Sequence, residues 1–353
     1  MSNNNALSFK DQDFFIGLDV HQKNWKVTLR NNKLPLKTFC MDPNPENLFS
    51  YLNKNYPQGN YFSVYEAGFS GYWAHRNLIK TGINNIIVNP ADIPTSHKEK
   101  DQKSDPVDSR KLARELENGS LKGIYIPTEQ QQARRSLCRL YYKAVKDRTR
   151  IKNTIKSFLQ FQGIDIPRVD EINHWSGRFI HWLKNISFKE PEDAYYLNNQ
   201  IENLLHKRKE TLDILRYMRK ISKHNNIIKC LKTISGIGFL TAFTLYAELI
   251  DIKRFDKLDQ LSSYIGLIPS TKSSDEREIK KGLTCRQNKR LRSQLIESAW
   301  IAVRHDPALT QSYNRYIQRM SKQKAIVRIA KKLLNRIRYV WLNEKEYVTG
   351  VVS

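Results

Sequence analysis

Four acidic residues stand where a catalytic metal site could form. Asp19 follows a short apolar run that predicts a buried strand, and Glu66 ends a second such run. Asp105 and Asp108 lie three positions apart at the start of a predicted helix, so they share one face of it. Four carboxylates that converge repel one another unless cations bind between them. Mg²⁺, with Mn²⁺ as an alternative, prefers carboxylate oxygens and keeps waters and substrate phosphates as further ligands.

The chemistry that such a site performs is phosphodiester cleavage. Two ions about 3.5–4 Å apart activate a nucleophile and stabilise the leaving oxygen. The same acids also have ordinary explanations: Asp105 as an N-cap with Asp108 at the third helical position is common helix-start chemistry, and Asp19 could stand in a turn. His21 is either a donor to the carboxylate two residues before it or a surface histidine. The other histidines and the four cysteines lack metal-ligand spacing.

The overall charge points to a polyanionic partner. The 353 residues include 60 Lys or Arg against 35 Asp or Glu, a net charge of +25. Such an excess attracts nucleic acid, because neutralised phosphates release their counterions; the alternative is a solvated basic surface. No run of about 18 apolar residues predicts a membrane span. The polar N-terminus and scattered cysteines predict a cytoplasmic, nucleoid-associated protein.

Basic residues concentrate in two regions. From 134 to 156, the polar face of a predicted long helix has nine Lys or Arg and only Asp147, and 270–345 holds 19 Lys or Arg against six acids. A Gly-x-Gly turn in the last third offers backbone N–H groups to a phosphate, or packs tightly against another helix. The predicted nucleic-acid-binding residues are Arg134, Arg135, Arg139, Lys143, Gly236, Gly238, Lys280, Lys281, Arg286, Lys289, Arg290 and Arg292.

The order of predicted elements would bring the acids together. Strands are predicted at 14–20, 25–29, 34–41, 61–66 and 85–89, with helices at 45–56, from about 72 to 81, and at 105–118 before Gly119. Three strands followed by alternating helix and strand is the order of an RNase H-like α/β domain. In that sheet the strands that carry Asp19 and Glu66 are neighbours.

The rest of the chain is predicted to be helical. Two long helical stretches, 128–161 and 192–222, predict a coiled-coil-like hairpin that could mediate oligomerisation. The last third is mostly helical, includes a helix-hairpin-helix-like turn, and has a polar loop at 270–283. We therefore expect an α/β plus all-α protein. Its predicted domains are a catalytic domain at 1–127, a helical linker at 128–226 and a C-terminal domain at 227–353.

Several segments resemble the DEDD-type transposases of bacterial insertion sequences, the insertion-sequence one-ten family. IGLDVH (16–21) is similar to that family's G-(I/L)-D-V-H-K opening, and KSDPVDSRKLA (103–113) to its K-(T/S)-D-x-x-D-A-x-x-L-A motif. ISGIG (234–238) resembles its P-G-I-G turn. GLIPSTKSS (266–274), followed by Gly282 and NKRLR (288–292), resembles its C-terminal block. The matches run in order from residue 16 to about 341.

The resemblance implies a fold and a set of site residues. The N-terminal domain would be RuvC-like, with Asp19, Glu66, Asp105 and Asp108 as its D-E-D-D carboxylates and metal ligands. The C-terminal transposase domain would supply a nucleophilic serine, which attacks a DNA phosphate and forms a covalent phosphoserine link. Ser273 and Ser274 both fit that position. Asp275 stands where the family usually has glycine, which leaves the choice between the two serines open.

The resemblance also implies partners. These are donor and target DNA, a structured non-coding bridge RNA as guide, and further copies of the chain in a dimer or tetramer; related members act as Piv-like DNA invertases. Two other functions fit the residues. One is a metal-dependent, structure-specific nuclease of the junction-resolvase kind, in which the serine takes no part. The other is a basic RNA-binding scaffold, in which the acids only cap helices.

Overall fold

The computed structural model describes residues 8–94, 105–274, 277–284 and 287–349, with the side chains of all of these except 105–107 and 270–281. The chain divides into two compact units, with the boundary between Ile126 and Pro127. Each unit has its own hydrophobic core.

The first unit is built on a mixed sheet, which has five strands among residues 8–94. They are β1 (Asp13–Val20), β2 (Trp25–Asn31), β3 (Leu34–Met41), β4 (Asn60–Glu66) and β5 (Asn84–Val88). Their spatial order is β3-β2-β1-β4-β5. The β1–β2 and β2–β3 pairs are antiparallel, whereas the β1–β4 and β4–β5 pairs are parallel. The five predicted strands are therefore present, and β1 and β4 are neighbours as expected.

Helices cover both faces of this sheet. They are α1 (Pro45–Asn55), α2 (Trp73–Thr81) and α3 (Asp105–Glu117). Successive side chains of a strand point to opposite sides of the sheet, so each strand contributes residues to both faces. Leu18 packs in the core with residues of α1 and α2, whereas Leu112 of α3 packs with Val64 and Val88 in a separate cluster. As predicted from Gly119, which has φ of 67°, α3 ends just before that residue.

Helices dominate the second unit. In chain order they are α4 (Glu129–Phe161), α5 (Gly177–Lys184), α6 (Pro191–Ile221), α7 (Asn226–Leu231), α8 (Phe239–Leu249), α9 (Leu258–Ile265), α10 (Lys289–His305), α11 (Pro307–Ile317) and α12 (Lys322–Asn343). A capping box between Thr128 and Gln131 starts α4. The sequence thus correctly predicted an α/β sheet unit followed by a mostly helical region. Among the described helices, none has the length and apolar character that crossing a membrane requires.

The two long helices α4 and α6 pack along each other and belong to two cores. Toward one end, Ile155 of α4 and Ile201 of α6 enclose a small core with α5. Toward the other end, Ala144 and Met218 join the large core formed by the C-terminal helices. The proposed division between 128–226 and 227–353 therefore runs through a shared core, and it stays a prediction.

One expectation was wrong: the segment 270–283 is not a plain loop. Its backbone forms a hairpin of β6 (Pro269–Ser274) and β7 (Arg277–Leu283), paired antiparallel. The alternation of apolar and polar residues that marks a strand is absent here, because nine of the 13 residues of the two strands are polar.

Candidate functional site

Two of the predicted acids lie side by side on neighbouring strands. The parallel register pairs Leu18 of β1 with Tyr65 of β4, so the next position on each strand holds Asp19 and Glu66. Both acids line one cavity of about 170 Å³, and Asp108 of α3 lines it as well. We call this the carboxylate cavity. The sheet and the helix thus bring together three of the four acids that the sequence singled out.

A close contact between α3 and the sheet brings Asp108 to this cavity. Gly17 of β1 has no side chain, and a Cβ placed there would lie 2.0 Å from the carbonyl oxygen of Ser109. The Ser109 hydroxyl lies 2.9 Å from that of Thr28 in a buried hydrogen bond to β2. At the other end of α3, Arg30 donates to Glu117 at 2.7 Å. These contacts fix the position of α3 along the strands.

We expect Gly17→Ala to destabilise the first unit by about 2 kcal/mol, because the added methyl group cannot fit without moving α3 away from the sheet. DNA cleavage should fall as well, since Asp108 would move with the helix. Thermal unfolding and a cleavage assay on the same preparation check both effects. Gly123→Ala is the control: its Cβ would meet Ile86 at an ordinary 3.4 Å, and stability should change by less than about 1 kcal/mol. A fully stable, active Gly17→Ala protein would contradict the close-contact argument.

The donor set of the carboxylate cavity suits a hard divalent cation. Its acids offer only oxygen ligands, which Mg²⁺ prefers. His21 Nε2 lies 3.1 Å from Asp19 Oδ2, so this histidine contacts the carboxylate, one of the two predicted roles. As they stand, no three Asp, Glu, His or Cys side chains in the described part of the chain are close enough to hold a metal ion. Asp105 begins α3 one turn before Asp108, and its side chain lies outside the described atoms.

A tyrosine that the sequence analysis missed supports one wall of the cavity. The Tyr65 hydroxyl donates to the Gly71 carbonyl at 2.9 Å and accepts from the His75 backbone N–H at 3.2 Å. These bonds hold the segment 67–72, of which Ala67, Gly68, Phe69 and Ser70 line the cavity. Burial raises the pKa of Tyr65 to about 12, so the phenol keeps its proton and its role as donor at neutral pH.

The two candidate serines lie on the hairpin of the second unit. In the backbone pairing of the two strands, Ser273 lies opposite Glu278 and Ser274 opposite Arg277. The side chains of both serines, and those of Lys280 and Lys281, lie outside the described atoms, and Arg286 lies outside the described residues. The base of the hairpin is anchored: the Thr284 N–H donates to Ile268 at 3.2 Å, and Arg292 donates to the Thr284 carbonyl at 3.4 Å.

Three predicted nucleic-acid-binding arginines converge instead on one buried acid. Glu248 at the end of α8 has a side chain that is 1% exposed. Arg139 of α4 and Arg290 of α10 donate to its Oε1 at 3.1 and 2.9 Å, and Arg135 Nε lies 3.5 Å from Oε2. Asn288, the N-cap of α10, donates at 3.4 Å. We call this group the Glu248 cluster; it joins α4, α8 and α10.

The charge state of the cluster follows from its composition. Burial alone would raise the pKa of Glu248, but the hydrogen bond from Arg139 and the charges of Arg139, Arg135 and Arg290 lower it below its ordinary value. The acid is therefore ionised at neutral pH. Arg135 is only 14% exposed; it donates to the Glu248 backbone carbonyl at 3.1 Å and forms an ion pair with the carboxylate at 3.5 Å. Arg139 is 55% exposed and keeps a surface that a phosphate could reach.

The remaining predicted binding residues have varied environments. Arg134 donates to the Tyr246 hydroxyl at 2.9 Å, whereas Lys143 and Lys289 are exposed. Gly236, with φ of 85°, would place a Cβ 2.4 Å from the Ser298 carbonyl oxygen. That contact favours the packing explanation of the Gly-x-Gly turn over phosphate binding. Gly238 is the N-cap of α8, and a Cβ added there would meet nothing within 4 Å among the described residues.

Comparison with known proteins gives consistent matches over most of the chain. A family model described as "Transposase IS116/IS110/IS902 family" matches residues 228–314, and a second, the DEDD transposase model of IS110, matches residues 16–162. The chain is 28% identical over 279 residues to the transposase for insertion sequence element IS1111A of Coxiella burnetii, covering 77% of this chain and 74% of that protein. It is also 28% identical over 254 residues to the transposase for insertion sequence element IS1533 of Leptospira borgpetersenii, covering 68% and 70%.

These matches agree with the motifs and with the geometry. The N-terminal model spans the strands and α3 that form the carboxylate cavity, and the C-terminal model spans the Gly-x-Gly turn, the hairpin and α10. Each alignment covers most of this chain and most of the relative, so the similarity is not confined to one of the two units. This chain belongs to the IS110 family of insertion-sequence transposases, and it is a DNA transposase.

Proposed function

We propose that this transposase breaks DNA at the carboxylate cavity and conserves the bond energy in a serine linkage. The observation that carries the proposal is the convergence of Asp19, Glu66 and Asp108 on one cavity. The β1–β4 register and the close contact at Gly17 place these three acids together, although the chain is strongly basic. Such a group of acids is expected where a metal ion binds a phosphate. The strand order β3-β2-β1-β4-β5, with its antiparallel and parallel halves, supports an RNase H-like, RuvC-like fold for this unit.

The metal ligands would be Asp19, Glu66 and Asp108, with Asp105 as the fourth. Mg²⁺ is the proposed ion and Mn²⁺ an alternative; when bound, it supplies Lewis acidity to the scissile phosphate. His21 orients the Asp19 carboxylate through its 3.1 Å contact. Tyr65 keeps the segment 67–72, which lines one side of the cavity, in place.

The serine step is a transesterification. The Oγ of Ser274 or Ser273 forms a bond to phosphorus while the bond from phosphorus to one nucleoside oxygen breaks. The serine gives its proton to a base, and the departing oxygen gains one. The number of phosphoester bonds is unchanged, so the reverse reaction can rejoin DNA without a further energy source. A free serine hydroxyl is a weak nucleophile, so the attacking serine needs a base or a metal ion to activate it.

The proposal also includes partners. Donor and target DNA would bind the basic surfaces of the chain, with a bridge RNA as guide and further copies of the chain forming a dimer or tetramer. The net charge of +25 and exposed basic residues such as Lys143 and Lys289 support nucleic-acid binding of this extent.

Trapping of a covalent adduct tests the serine step. The full chain is incubated with Mg²⁺, labelled DNA carrying the insertion-sequence ends, and RNA transcribed from the element, and is then denatured. Labelled DNA should remain attached to the wild-type protein after denaturation. One of the single variants Ser274→Ala and Ser273→Ala should abolish the adduct, because only one hydroxyl attacks. Peptide mapping of the labelled protein identifies that serine independently.

Ser263→Ala is the matched control, since this serine is exposed on α9 and should leave the adduct unchanged. If both single variants still form the adduct, neither serine is the nucleophile. If the wild-type protein cuts the DNA without any adduct, the chemistry is that of a metal-dependent nuclease of the junction-resolvase kind.

A further inference from the structure

A second cavity lies in the helical hairpin of the second unit. It measures about 240 Å³ and is formed by α4, α6 and the segment around α5. Three of its lining residues are cationic. The full lining is Arg148, Lys152, Trp175, Ile180, Leu204, Leu205 and Arg208. None of the described residues that line it is acidic, so no lining carboxylate neutralises these positive charges. We call it the basic cavity.

The cations of the basic cavity are crowded together. Burial, and then the charges of Arg148, Arg208 and Lys156, lower the pKa of Lys152. The Nε of Arg148 is buried without a hydrogen-bond partner among the described atoms. A buried guanidinium nitrogen that donates to nothing is costly, and in a native site it calls for a ligand or water. Like charges held this close also repel, and an anion between them would relieve that repulsion.

A tryptophan completes the basic cavity. Trp175 has φ of 67°, a backbone conformation that bulky residues rarely adopt. The ammonium of Lys152 lies 5.1 Å from the centre of its ring, and that of Lys156 lies 6.0 Å away. The next residue, Ser176, caps α5 by accepting from the Phe179 N–H, which fixes the turn that carries the ring. Strained backbone of this kind concentrates at ligand sites.

We propose that the basic cavity binds one backbone phosphate of a nucleic-acid strand. At about 240 Å³ it is smaller than the roughly 300–1,000 Å³ of pockets for whole small molecules, which suits a single phosphate group. Two guanidinium groups can grip phosphate oxygens through paired N–H donors, and a lysine adds a point charge. Arg208 is exposed, so the cavity opens to solvent and a chain that continues on both sides of the phosphate can enter. The inference rests on the nucleic-acid binding of a transposase and not on the serine step.

The test measures binding without cleavage. The full chain, in EDTA, is titrated against labelled duplex DNA and, separately, against labelled RNA transcribed from the element, at several salt concentrations. Lys152→Gln, Arg148→Gln and Arg208→Gln should each weaken binding on the order of tenfold in at least one of these arms. In that arm the slope of log affinity against log salt should become shallower by about 0.7–0.9, the loss expected for one phosphate. The arm that responds identifies the strand that the cavity holds.

Lys209→Gln is the matched control. It removes the same charge from the next position of α6, but it does not line the cavity, and it should change affinity less than about twofold. Lys152→Arg should retain the wild-type slope, because the charge is kept. Arg208 is exposed, so its variant keeps the test valid if a substitution at Arg148 prevents folding.

Two results would overturn the proposal. One is an unchanged affinity and salt slope for all three variants with both nucleic acids. The other is evidence that the cavity binds free anions only. In that case inorganic phosphate raises the melting temperature of the wild type and Lys152→Gln abolishes that rise, but the variant binds DNA and RNA as tightly as the wild type does. Failure of the adduct assay above would leave this test unaffected, since no strand is cut in it.

Discussion

Asp19→Asn is expected to lower DNA strand cleavage about a thousand-fold while the fold and DNA binding are retained. The amide keeps the shape of the carboxylate but removes the negative charge that a divalent ion requires. Metal-ion catalysis contributes several kcal/mol to the stabilisation of a phosphoryl transition state, and a loss of roughly 4 kcal/mol corresponds to about a thousand-fold in rate. Cleavage of labelled DNA carrying the insertion-sequence ends, at saturating Mg²⁺, measures the effect.

Asp13→Asn is the control for this prediction. Asp13 lies at the other end of the same strand and is exposed; its carboxylate accepts a surface hydrogen bond from Asn60 at 2.9 Å. The same substitution there should change the cleavage rate less than about twofold. Should Asp19→Asn cut DNA at the wild-type rate, Asp19 is a structural residue, and the explanation of these acids as caps and turn residues would gain support.

Much of the carboxylate cavity could be predicted from the sequence, because local patterns encode it. The apolar runs before Asp19 and Glu66 mark two buried strands, and the order of elements makes those strands neighbours. The three-residue spacing that ends at Asp108 marks one helix face. The contact that brings this helix to the strand could not be predicted in the same way. It depends on Gly17 meeting the backbone at Ser109, and these residues are far apart in the sequence.

The second unit contains a contact that local sequence patterns do not indicate. Arg135 and Arg139 lie on the polar face of a long amphipathic helix, and such a face normally points to solvent; Arg139 is 55% exposed, but Arg135 only 14%. Their partner Glu248 is more than 100 residues away and sits at the end of an otherwise apolar helix. Nothing local marks that acid as the centre of a cluster. A lone acid in an apolar helix is nevertheless a usable signal, since a buried carboxylate requires cationic partners.

Glu248→Gln is expected to destabilise the second unit by about 3–4 kcal/mol. The amide fits the same space, but it leaves Arg135, Arg139 and Arg290 without the charge that compensates them, and breaking one partner of a buried ion pair typically costs about 3–5 kcal/mol. The lower part of that range applies because Arg139 is 55% and Arg290 30% exposed, so water screens part of their charge. Chemical denaturation measured with a probe in the second unit checks the value.

The difference in stability between the wild type and Glu248→Gln should depend on pH in one direction. Folding lowers the pKa of Glu248, so the ionised acid stabilises the folded state fully above its unfolded pKa of about 4.3. That contribution is lost as the pH falls through the folded value, and the gap between wild type and Glu248→Gln should therefore narrow below about pH 4. Glu202→Gln is the control, because its ion pair with Lys184 is exposed and should contribute less than about 1 kcal/mol. If Glu248→Gln is as stable as the wild type at neutral pH, the folded state does not depend on the charge of this acid, and the ion-pair argument for the Glu248 cluster is wrong.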